Sequence, residues 1–304
     1  MGGGVSVELS IITVTYRSEK YIDSCILSVI THLMTESYEH IIVDNGSDDK
    51  TVELIESSYL KYVRLIKNSS NLGFSAANNL ALSQAQGRYI LFLNPDMQMY
   101  RGYLDDLIIW ADTVPDLGIA TCQLLDDSFR PHPLLRPCKF PLLRHYIVWC
   151  LSSKPFIRSV TEPYLFYPGF DDDKIQEVEQ VRGAFMLIRK EVLDRLGYGF
   201  DPRYFIVFED MDLCKQMDSD GYKVMYNPSV GCIDFCNRSF VERSATWKYC
   251  HMAQSLKTYV RKWHSVWHLI WMNILIPIGF LFRMKKWGVR NSLQSLSRFI
   301  VSKE

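Results

Sequence analysis

The stretch LSIITVT, residues 9–15, is a short apolar run, rich in β-branched side chains and free of charge. Such a run is typical of a strand that is buried on both faces of a sheet. Apolar residues at helical spacing follow over residues 18–30, and the alternation then continues. We predict strands over residues 39–43, 62–67 and 88–93, and helices over 51–58 and 75–86, the last with Gly87 as its C-cap. Alternating strands and helices predict a parallel sheet with helices on both faces.

The second half of the chain shows a less regular pattern. Residues 129–169 hold seven prolines among aromatic and basic residues, which predicts an insertion of loops or short helices over one edge of a site. Regular patterns return after it, with strands predicted over residues 181–188 and 223–226 and helices over 190–196 and 208–221.

The charges divide the chain into an acidic body and a basic tail. The 304 residues carry 34 basic and 34 acidic side chains and are enough for one sizeable domain. Between Arg243 and Lys303, however, there are eleven Lys or Arg, no Asp or Glu, and five of the seven tryptophans. A basic and aromatic segment favours an anionic membrane surface over a nucleic acid. We therefore expect residues 243–304 to associate with a membrane, and we expect no nucleic-acid partner.

The apolar run of this tail, VWHLIWMNILIPIGFLF, covers residues 266–282 and contains His268, Asn273 and Pro277. A spanning helix needs about 20 predominantly apolar residues. Basic residues lie on both sides, so we expect the run to lie in the membrane interface; a spanning helix and a helix packed on the protein are the alternatives. The first residues lack the pattern of a signal peptide, and the eight cysteines form no CxxC pair, which favours a cytoplasmic location on the inner face of the cell membrane.

Polar side chains follow three predicted strands at the point where each strand ends. The first strand ends in Thr15 and Tyr16, the second in Asp44 and Asn45, and the fourth in NPD at residues 94–96. Open α/β sheets bind ligands at this edge, although Asp and Asn also end strands as turn formers. Asp44 by itself favours a turn, whereas polar residues at the ends of three predicted strands favour a ligand-binding site. Asp96 is well placed to hold Mg²⁺ or Mn²⁺ against a diphosphate, because hard cations take oxygen ligands.

A glycine lies at the start of the next helix, in NLGF at residues 71–74, followed by SAANN at 75–79. Gly73 would allow the backbone to approach a ligand closely. The N–H groups of the small residues in the first turn could then face a phosphate or a ribose. The alternative is that Ser75 caps an ordinary surface helix.

The stretch FEDMD, residues 208–212, places three acids within four positions, directly after the aromatic run YFIVF at 204–208. Such acids are costly to bury unless they have partners. At a helix start they gain from the helix dipole, which explains them without a function. The other explanation is that one carboxylate is the general base for an acceptor hydroxyl. The residues alone leave both explanations open.

Six stretches, in their order and spacing, give the chain a resemblance to the family 2 inverting glycosyltransferases, in the branch with bacterial rhamnosyltransferases. They are SIITVTYRSEKYI (10–22), IIVDNGSDDKT (41–51), NSSNLGFSAANN (68–79), YILFLNPD (89–96), VRGAFMLIRKEVLDRLGYGFDPRYFIVFEDMDLCKQMDSDGYKV (181–224) and SLKTYVRKW (255–263). The resemblance implies the GT-A fold, an α/β Rossmann-like domain with a mostly parallel central sheet flanked by helices. That domain would cover residues 1–242, with a nucleotide-binding half at 1–100, an acceptor-binding half at 101–242 and a C-terminal helical, membrane-associating extension at 243–304.

The resemblance also implies roles for particular residues. The nucleotide-sugar would be bound by Thr15, Tyr16, Asp44, Asn71, Gly73, Phe74, Asn78 and Asn94. Gly183, Ala184 and Phe185 would line the sugar and acceptor pocket. Asp96 would be the metal ligand of the family's DxD position, whose first acid is here Asn94. Asp210 would be the catalytic base, with Glu209 beside it.

The chain departs from the family in one place. The family usually has a histidine after the last strand, whereas CIDFCNRS at residues 232–239 has none. Asp234 falls nearest that position, so we expect it to be a second metal ligand; the alternative is a site with one fewer protein ligand.

The implied reaction is the Mg²⁺- or Mn²⁺-dependent transfer of a sugar, rhamnose being one candidate, from a dTDP- or UDP-sugar. The acceptor would be a glycan or a lipid-linked glycan in cell-surface polysaccharide synthesis, and a homodimer is left open. Two alternatives are a catalytically weakened nucleotide-sugar-binding scaffold at the membrane and a sugar nucleotidyltransferase. The latter would normally carry a glycine-rich basic loop where this chain has TYRSEKY at residues 15–21.

Overall fold

A computed structural model of the chain describes residues 7–35, 37–131, 135–151, 165–235 and 244–287. The strands are β1 (Leu9–Thr15), β2 (Tyr38–Asp44), β3 (Arg64–Lys67), β4 (Tyr89–Leu93), β5 (Met97–Arg101), β6 (Leu117–Leu125), β7 (Gln176–Glu177), β8 (Phe185–Arg189) and β9 (Lys223–Asp234). The helices are α1 (Ile22–Thr31), α2 (Thr51–Ser58), α3 (Phe74–Leu82), α4 (Leu104–Asp112), α5 (Leu143–Leu151), α6 (Lys190–Leu196), α7 (Glu209–Ser219), α8 (Ala245–Trp263) and α9 (Val266–Trp287).

The nine strands form one sheet in the order β3-β2-β1-β4-β8-β6-β9-β5, with β7 paired to β9. β3, β2, β1 and β4 run parallel. β8 is antiparallel to both of its neighbours, β4 and β6, whereas β6 and β9 are parallel. The predicted α/β architecture is confirmed. The expected parallel arrangement holds for the first four strands, and the rest of the sheet is mixed because β8 inserts in the opposite direction.

Strand β1, the first in the chain, has no polar face. All seven of its residues are buried, because helices cover both sides of the sheet. Leu9 and Ile11 belong to one hydrophobic core, and Ile12 and Val14 belong to another on the opposite face. This division follows from the two-residue period of a strand.

The predicted and observed elements differ most between β4 and the proline-rich segment and in the last strand. β5, α4 and β6 lie in a stretch for which no element was predicted. β9 continues beyond Tyr226 to Asp234, although Pro228 lies within it. Its register against β6 shifts between Thr121 and Gln123, and such irregular pairing is where a strand accommodates proline.

Gly87 does not cap a helix, because α3 ends at Leu82 with Ser83 as its C-cap. Instead, its N–H donates to Ser10 Oγ at 2.7 Å. A Cβ on Gly87 would lie 2.3 Å from the Ser10 nitrogen and 2.7 Å from the Leu9 carbonyl carbon. Gly87 is therefore required for the close approach of this turn to β1.

Helices α5, α8 and α9 enclose a separate hydrophobic cluster, which also includes Tyr204. α5 lies within the predicted proline-rich insertion, of which residues 132–134 and 152–164 fall outside the described part. No helix among the described residues combines the length and the apolar character needed to cross a bilayer. Residues 236–239 and 288–304, which also figured in the predictions, lie outside the described part.

The first test concerns Gly87. We expect Gly87→Ala to lower the free energy of unfolding by about 1–3 kcal/mol or more, because the new methyl group would overlap backbone atoms of β1. Chemical denaturation measures this change. Gly231→Ala is the matched control, because its Cβ would make ordinary contacts at 3.7 Å or more. Equal stability of the two variants would contradict the packing described here.

Candidate active site

A cavity of about 380 Å³ opens where β1, β2 and β4 end. Its lining comes from strand ends, from the turn before α7 and from α8. The lining residues are Val14, Tyr16, Asn45, Asn71, Gly73, Phe74, Asn94, Pro95, Asp96, Arg182, Gly183, Ala184, Phe205, Ile206, Val207, Phe208, Glu209, Asp210, Asp234, Trp247 and Met252. All but four of the predicted site residues are among them.

The four other predicted residues, Thr15, Asp44, Asn78 and Phe185, lie behind the residues that line the cavity. Thr15 Oγ1 donates to Asp44 Oδ1 at 3.2 Å, and both side chains are buried. Asp44 Oδ2 accepts from the backbone of Gly46 at 3.1 Å, so this carboxylate forms the turn that its sequence position favoured. Asn78 Nδ2 donates to the Phe74 carbonyl one helical turn earlier. In this structure, Thr15, Asp44 and Asn78 support the wall and do not line the cavity. Phe185 is also buried, inside β8.

Asn45 organises the loop before α3, although it was not among the predicted site residues. Its Nδ2 donates to Asn71 Oδ1 and to the Gly73 carbonyl, both at 3.1 Å. Its Oδ1 accepts from the backbone of Leu72 at 3.0 Å. The sequence signal for Asn45 was its place directly after Asp44 at a strand end.

Residue 73 must be a glycine because of its backbone conformation and because another part of the chain lies close to it. Its φ is +89°, and a Cβ would lie 2.6 Å from the Phe205 carbonyl oxygen. That oxygen accepts from the Phe74 N–H at 2.6 Å. The close approach that this glycine permits is thus to the protein backbone of residue 205. α3 begins at Phe74 with Gly73 as its N-cap, so the alternative of a Ser75 cap is wrong.

Two acidic residues, Asp96 and Asp234, lie near each other beyond the end of β4. Met97 pairs with Asp234 in the register of β5 and β9, and the Phe235 N–H donates to the Asp96 carbonyl at 3.2 Å. This places Asp96 next to Asp234, and both carboxylates are buried in the cavity wall. Buried carboxylates need polar or charged partners, and a cation would be one such partner for this pair. No group of three metal-ligating side chains occurs in the part of the chain that the structure describes.

Asp210 is held at the start of α7 by two backbone groups. Its Oδ2 accepts from the Gly183 N–H at 3.0 Å, and its Oδ1 accepts from the Met211 N–H at 2.8 Å. Gly183 has little room for a side chain, because a Cβ there would lie 3.3 Å from Asp210 Cβ. The carboxylate is therefore fixed against β8 and remains part of the cavity lining.

Glu209 has a different environment from Asp210. It is buried, and among the described residues its Oε2 has no hydrogen-bond partner. Burial first, and the neighbouring Asp210 carboxylate second, raise the pKa of Glu209 well above its usual range. Burial thus makes Glu209 hold its proton more tightly than an exposed glutamate does, whereas Asp210 is the acid whose two oxygens accept from backbone donors.

The turn before these acids is strained. Val207 and Phe208 have φ values of +62° and +73°, a region that costs non-glycine residues about 1–3 kcal/mol each. The strained turn bends the chain so that residues 205–208 line the cavity and α7 starts directly after them. The aromatic run in the sequence was the one signal for this segment, which we did not predict to line the site.

Arg182, Trp247 and Met252 were also missed as lining residues. Arg182 precedes Gly183 and adds a positive charge to a cavity with several carboxylates. Trp247 and Met252 come from α8, in the segment that we predicted to be a membrane tail. The sequence did not show that this segment contributes to the cavity, because its basic and aromatic composition fits a membrane surface equally well.

Chemically, the cavity combines four features. It has polar strand ends that suit a nucleotide, an acidic pair that suits a hard cation, a carboxylate fixed by backbone donors, and an apolar wall. Perturbed and buried acids in a cleft at the carboxyl edge of a sheet are typical of catalytic sites.

Comparison with known proteins gives relatives along most of the chain. It is 28% identical to rhamnosyltransferase WbbL of Escherichia coli (strain K12) over 267 residues, which cover 83% of this chain and 92% of that protein. It is 24% identical to the N-acetylglucosaminyl-diphospho-decaprenol L-rhamnosyltransferase of Mycobacterium tuberculosis (strain ATCC 25618 / H37Rv), over 96% of this chain and 92% of that protein.

Solved structures share the fold. The mannosyltransferase PcManGT from Pyrobaculum calidifontis, in complex with GDP-Man and Mn²⁺, aligns with a TM-score of 0.53 and 17% identity over 98% of this chain and 76% of that one. TarS 1-349 of S. aureus, in complex with UDP, aligns with a TM-score of 0.51 and 17% identity over 98% of this chain and 75% of that one. These likenesses show the GT-A fold that the sequence implied.

The family is shown by sequence models. One described as "Glycosyl transferase family 2" matches residues 10–197, and another described as "Glycosyltransferase like family 2" matches residues 171–262. The first spans more than half of the chain and includes Asp96, the second reaches Asp210, and the resemblance to rhamnosyltransferases is confirmed. The chain belongs to glycosyl transferase family 2 and is a glycosyltransferase.

Proposed function

We propose that this glycosyltransferase moves a sugar from a nucleoside diphosphate to an acceptor hydroxyl in a single inverting displacement. The observation that supports it is that Asp96, Asp234 and Asp210 line one cavity together with the polar strand ends. In such a reaction the leaving diphosphate and the attacking hydroxyl lie on opposite sides of the anomeric carbon. Separate acidic groups are therefore required. One set would hold the metal beside the diphosphate, and another group would accept the proton of the hydroxyl.

Asp96 and Asp234 would hold the metal, either Mg²⁺ or Mn²⁺. The donor set fits, because Mg²⁺ in phosphate sites is typically bound by one or two carboxylates together with substrate phosphates. The ion would neutralise the charge of the leaving diphosphate. Its binding would also offset the negative charge of the two buried carboxylates.

Asp210 would remove the acceptor proton. The Gly183 and Met211 N–H groups fix both of its oxygens, which orients the carboxylate before substrate arrives. Glu209, whose pKa is raised by burial, would bring the oxygen that has no partner among the described residues to a sugar hydroxyl. The half-exposed apolar wall from residues 205–208 limits water access near the reacting atoms.

The relatives suggest the substrates. Two of them are named rhamnosyltransferases, and the mycobacterial one is named for an acceptor linked through a diphosphate to decaprenol. We propose a dTDP- or UDP-sugar donor, with rhamnose as the first candidate, and a lipid-linked glycan acceptor in cell-surface polysaccharide synthesis. Tyr16, Asn71, Phe74 and Asn94 would contact the nucleotide-sugar.

A lipid-linked acceptor requires access to a membrane, and one face of α9 is suited to that. Val266, Trp267, Ile270, Trp271 and Ile274 recur at helical spacing and are each 44–69% exposed. Met272 and Ile276, on the other side of the helix, are buried against α5 and α8. We propose that the exposed face lies in the headgroup region of the inner leaflet and that the basic residues of 243–304 contact anionic lipids.

The role of Asp210 is tested by Asp210→Asn. We expect kcat for transfer, or for donor hydrolysis, to fall about 10²–10⁴-fold, because the variant cannot accept the proton. Donor binding, measured by calorimetry, should stay within a few-fold of wild type. Asp218→Asn, an exposed acid on the same helix, is the control. Equal activity of Asp210→Asn and wild type would remove the base assignment, and binding without turnover in wild type would favour a scaffold.

The metal site is tested by thermal stability with UDP or dTDP. Ligand at about 100 times its dissociation constant stabilises a protein by about 2.7 kcal/mol. We expect that gain in wild type with Mn²⁺ and a clear reduction in Asp96→Asn and Asp234→Asn, whereas Asp194→Asn, an exposed surface acid, should respond as wild type does. Equal stabilisation with EDTA present would show that the nucleotide binds without metal.

The α9 face is tested by binding to vesicles of phosphatidylcholine and phosphatidylglycerol. Burying a large apolar side chain contributes about 1.5–3 kcal/mol, so Trp267→Ser with Trp271→Ser should weaken partitioning at least ~100-fold. Ile109→Ser is the matched control, because Ile109 is 65% exposed on α4. Co-sedimentation measures the bound fraction. If the double variant sediments as wild type does, α9 is not the membrane-binding face.

A further inference from the structure

Asp212 is a buried carboxylate for which the proposed reaction has no use. It lies two residues after Asp210 on α7 and is 1% exposed. Tyr204 Oη and Trp263 Nε1 donate to its Oδ1 at 3.1 and 2.7 Å, and Lys262 Nζ donates to its Oδ2 at 2.7 Å. With both oxygens occupied by protein donors, Asp212 does not face the substrate cavity.

The hydrogen bonds of Asp212 determine which way the Asp210 side chain points from α7. Residues two apart on a helix lie on different faces, so the two carboxylates point to different sides of α7. Asp210 lines the cavity, while Asp212 meets Lys262 and Trp263 in the last turn of α8. A turn of α7 about its axis would break the contacts of both acids at once. The bonds to Asp212 therefore fix the rotation of the helix that presents Asp210.

The same helix, α8, also holds the strained turn before α7. Ser255 Oγ donates to the Ile206 carbonyl at 2.9 Å, and the His251 ring stacks on Phe205 at 4.8 Å. Trp247, in the first turn of α8, lines the cavity. Helix α8 thus contacts the turn at Phe205 and Ile206, and its last turn donates hydrogen bonds to the Asp212 carboxylate.

A purely stabilising role does not explain why these groups are charged. Lys262 lies 3.5 Å from Asp201 as well, and Arg203 pairs with Asp201, so two acids and two bases are gathered at the junction of α7 and α8. A buried ion pair often adds no more stability than apolar residues of the same size. Its directional hydrogen bonds, however, specify one arrangement of the two helices.

We propose that Asp212 is a positioning residue, whose bonds to Lys262 and Trp263 hold Asp210 and the α8 wall of the cavity in their working arrangement. This inference rests on the proposed role of Asp210 as the base. It makes α8 part of the catalytic apparatus as well as a link to the membrane-facing helix.

The test compares Asp212→Asn with Asp218→Asn. The first variant keeps an oxygen for Tyr204 and Trp263 but loses the ion pair, and the second loses only an exposed pair on the same helix. We expect kcat of Asp212→Asn to fall up to about 100-fold, because small displacements of a catalytic group have that effect, with KM for the donor near its wild-type value. Asp218→Asn should match wild type. Trp263→Phe, which removes one donor and keeps a ring, should lower kcat in the same direction.

Hydrogen exchange supplies a readout that is independent of turnover. Backbone amides of residues 205–211 should exchange faster in Asp212→Asn and Trp263→Phe than in Asp218→Asn. Wild-type exchange at these amides in both variants, or unchanged kcat per folded molecule, would overturn the proposal. If wild type turns over no nucleotide-sugar, the proposed function fails, and the exchange rates still decide whether Asp212 holds the turn. If Asp212→Asn does not fold, Trp263→Phe provides the same comparison.

Discussion

The antiparallel pairing of β8 with β4 is the constraint on which the active site depends. Its register sets Phe185 opposite Leu93, and the Asn94 N–H donates to the Ala184 carbonyl at 3.0 Å. Because an antiparallel neighbour begins where its partner ends, Gly183 reaches the carboxyl edge of the parallel strands. Gly183 then donates to Asp210, so a carboxylate far from Asp96 in the sequence lines the same cavity.

The turn at residues 205–208 adds a second constraint. It lies between Gly73, which has no side chain to collide with Phe205, and α8, which bonds to the Ile206 carbonyl. Left-handed conformations at Val207 and Phe208 persist only where the surroundings fix them. The two neighbours supply that restraint, and the result is a preformed apolar wall beside Glu209 and Asp210. Such preorganisation is what transition-state stabilisation requires.

Charge explains why the acids of the site divide into separate roles. Asp96 and Asp234 are adjacent and buried, an arrangement that favours a cation. Asp210 is half-buried and both of its oxygens accept from backbone N–H groups, whereas burial raises the pKa of Glu209. One cavity therefore brings together an acidic pair, a carboxylate fixed by backbone donors and a buried acid with a raised pKa.

The sequence by itself determined the α/β class, the parallel first half of the sheet and the family. Periodicity was sufficient for β1 and β4, because strands covered on both faces must be apolar throughout. The polar strand ends also predicted that Tyr16, Asn94 and Asp96 share one edge, whereas most of the other predicted cavity residues came from the family resemblance. The sequence patterns missed β5, α4 and β6, which carry no strong signal between the motifs, and they placed Gly87 in a cap because glycine serves caps and close contacts alike.

Only the tertiary structure decided which neighbours each residue has. The direction of β8, the contact of Gly73 with Phe205 and the anchoring of Asp212 by Lys262 join segments that are distant in the chain. No local pattern specifies such pairs, because the same residues would suit a turn, a helix dipole or a membrane surface in another setting. The contribution of α8 to the cavity is of this kind: composition marked its segment as basic and aromatic, and packing against α7 made it part of the site.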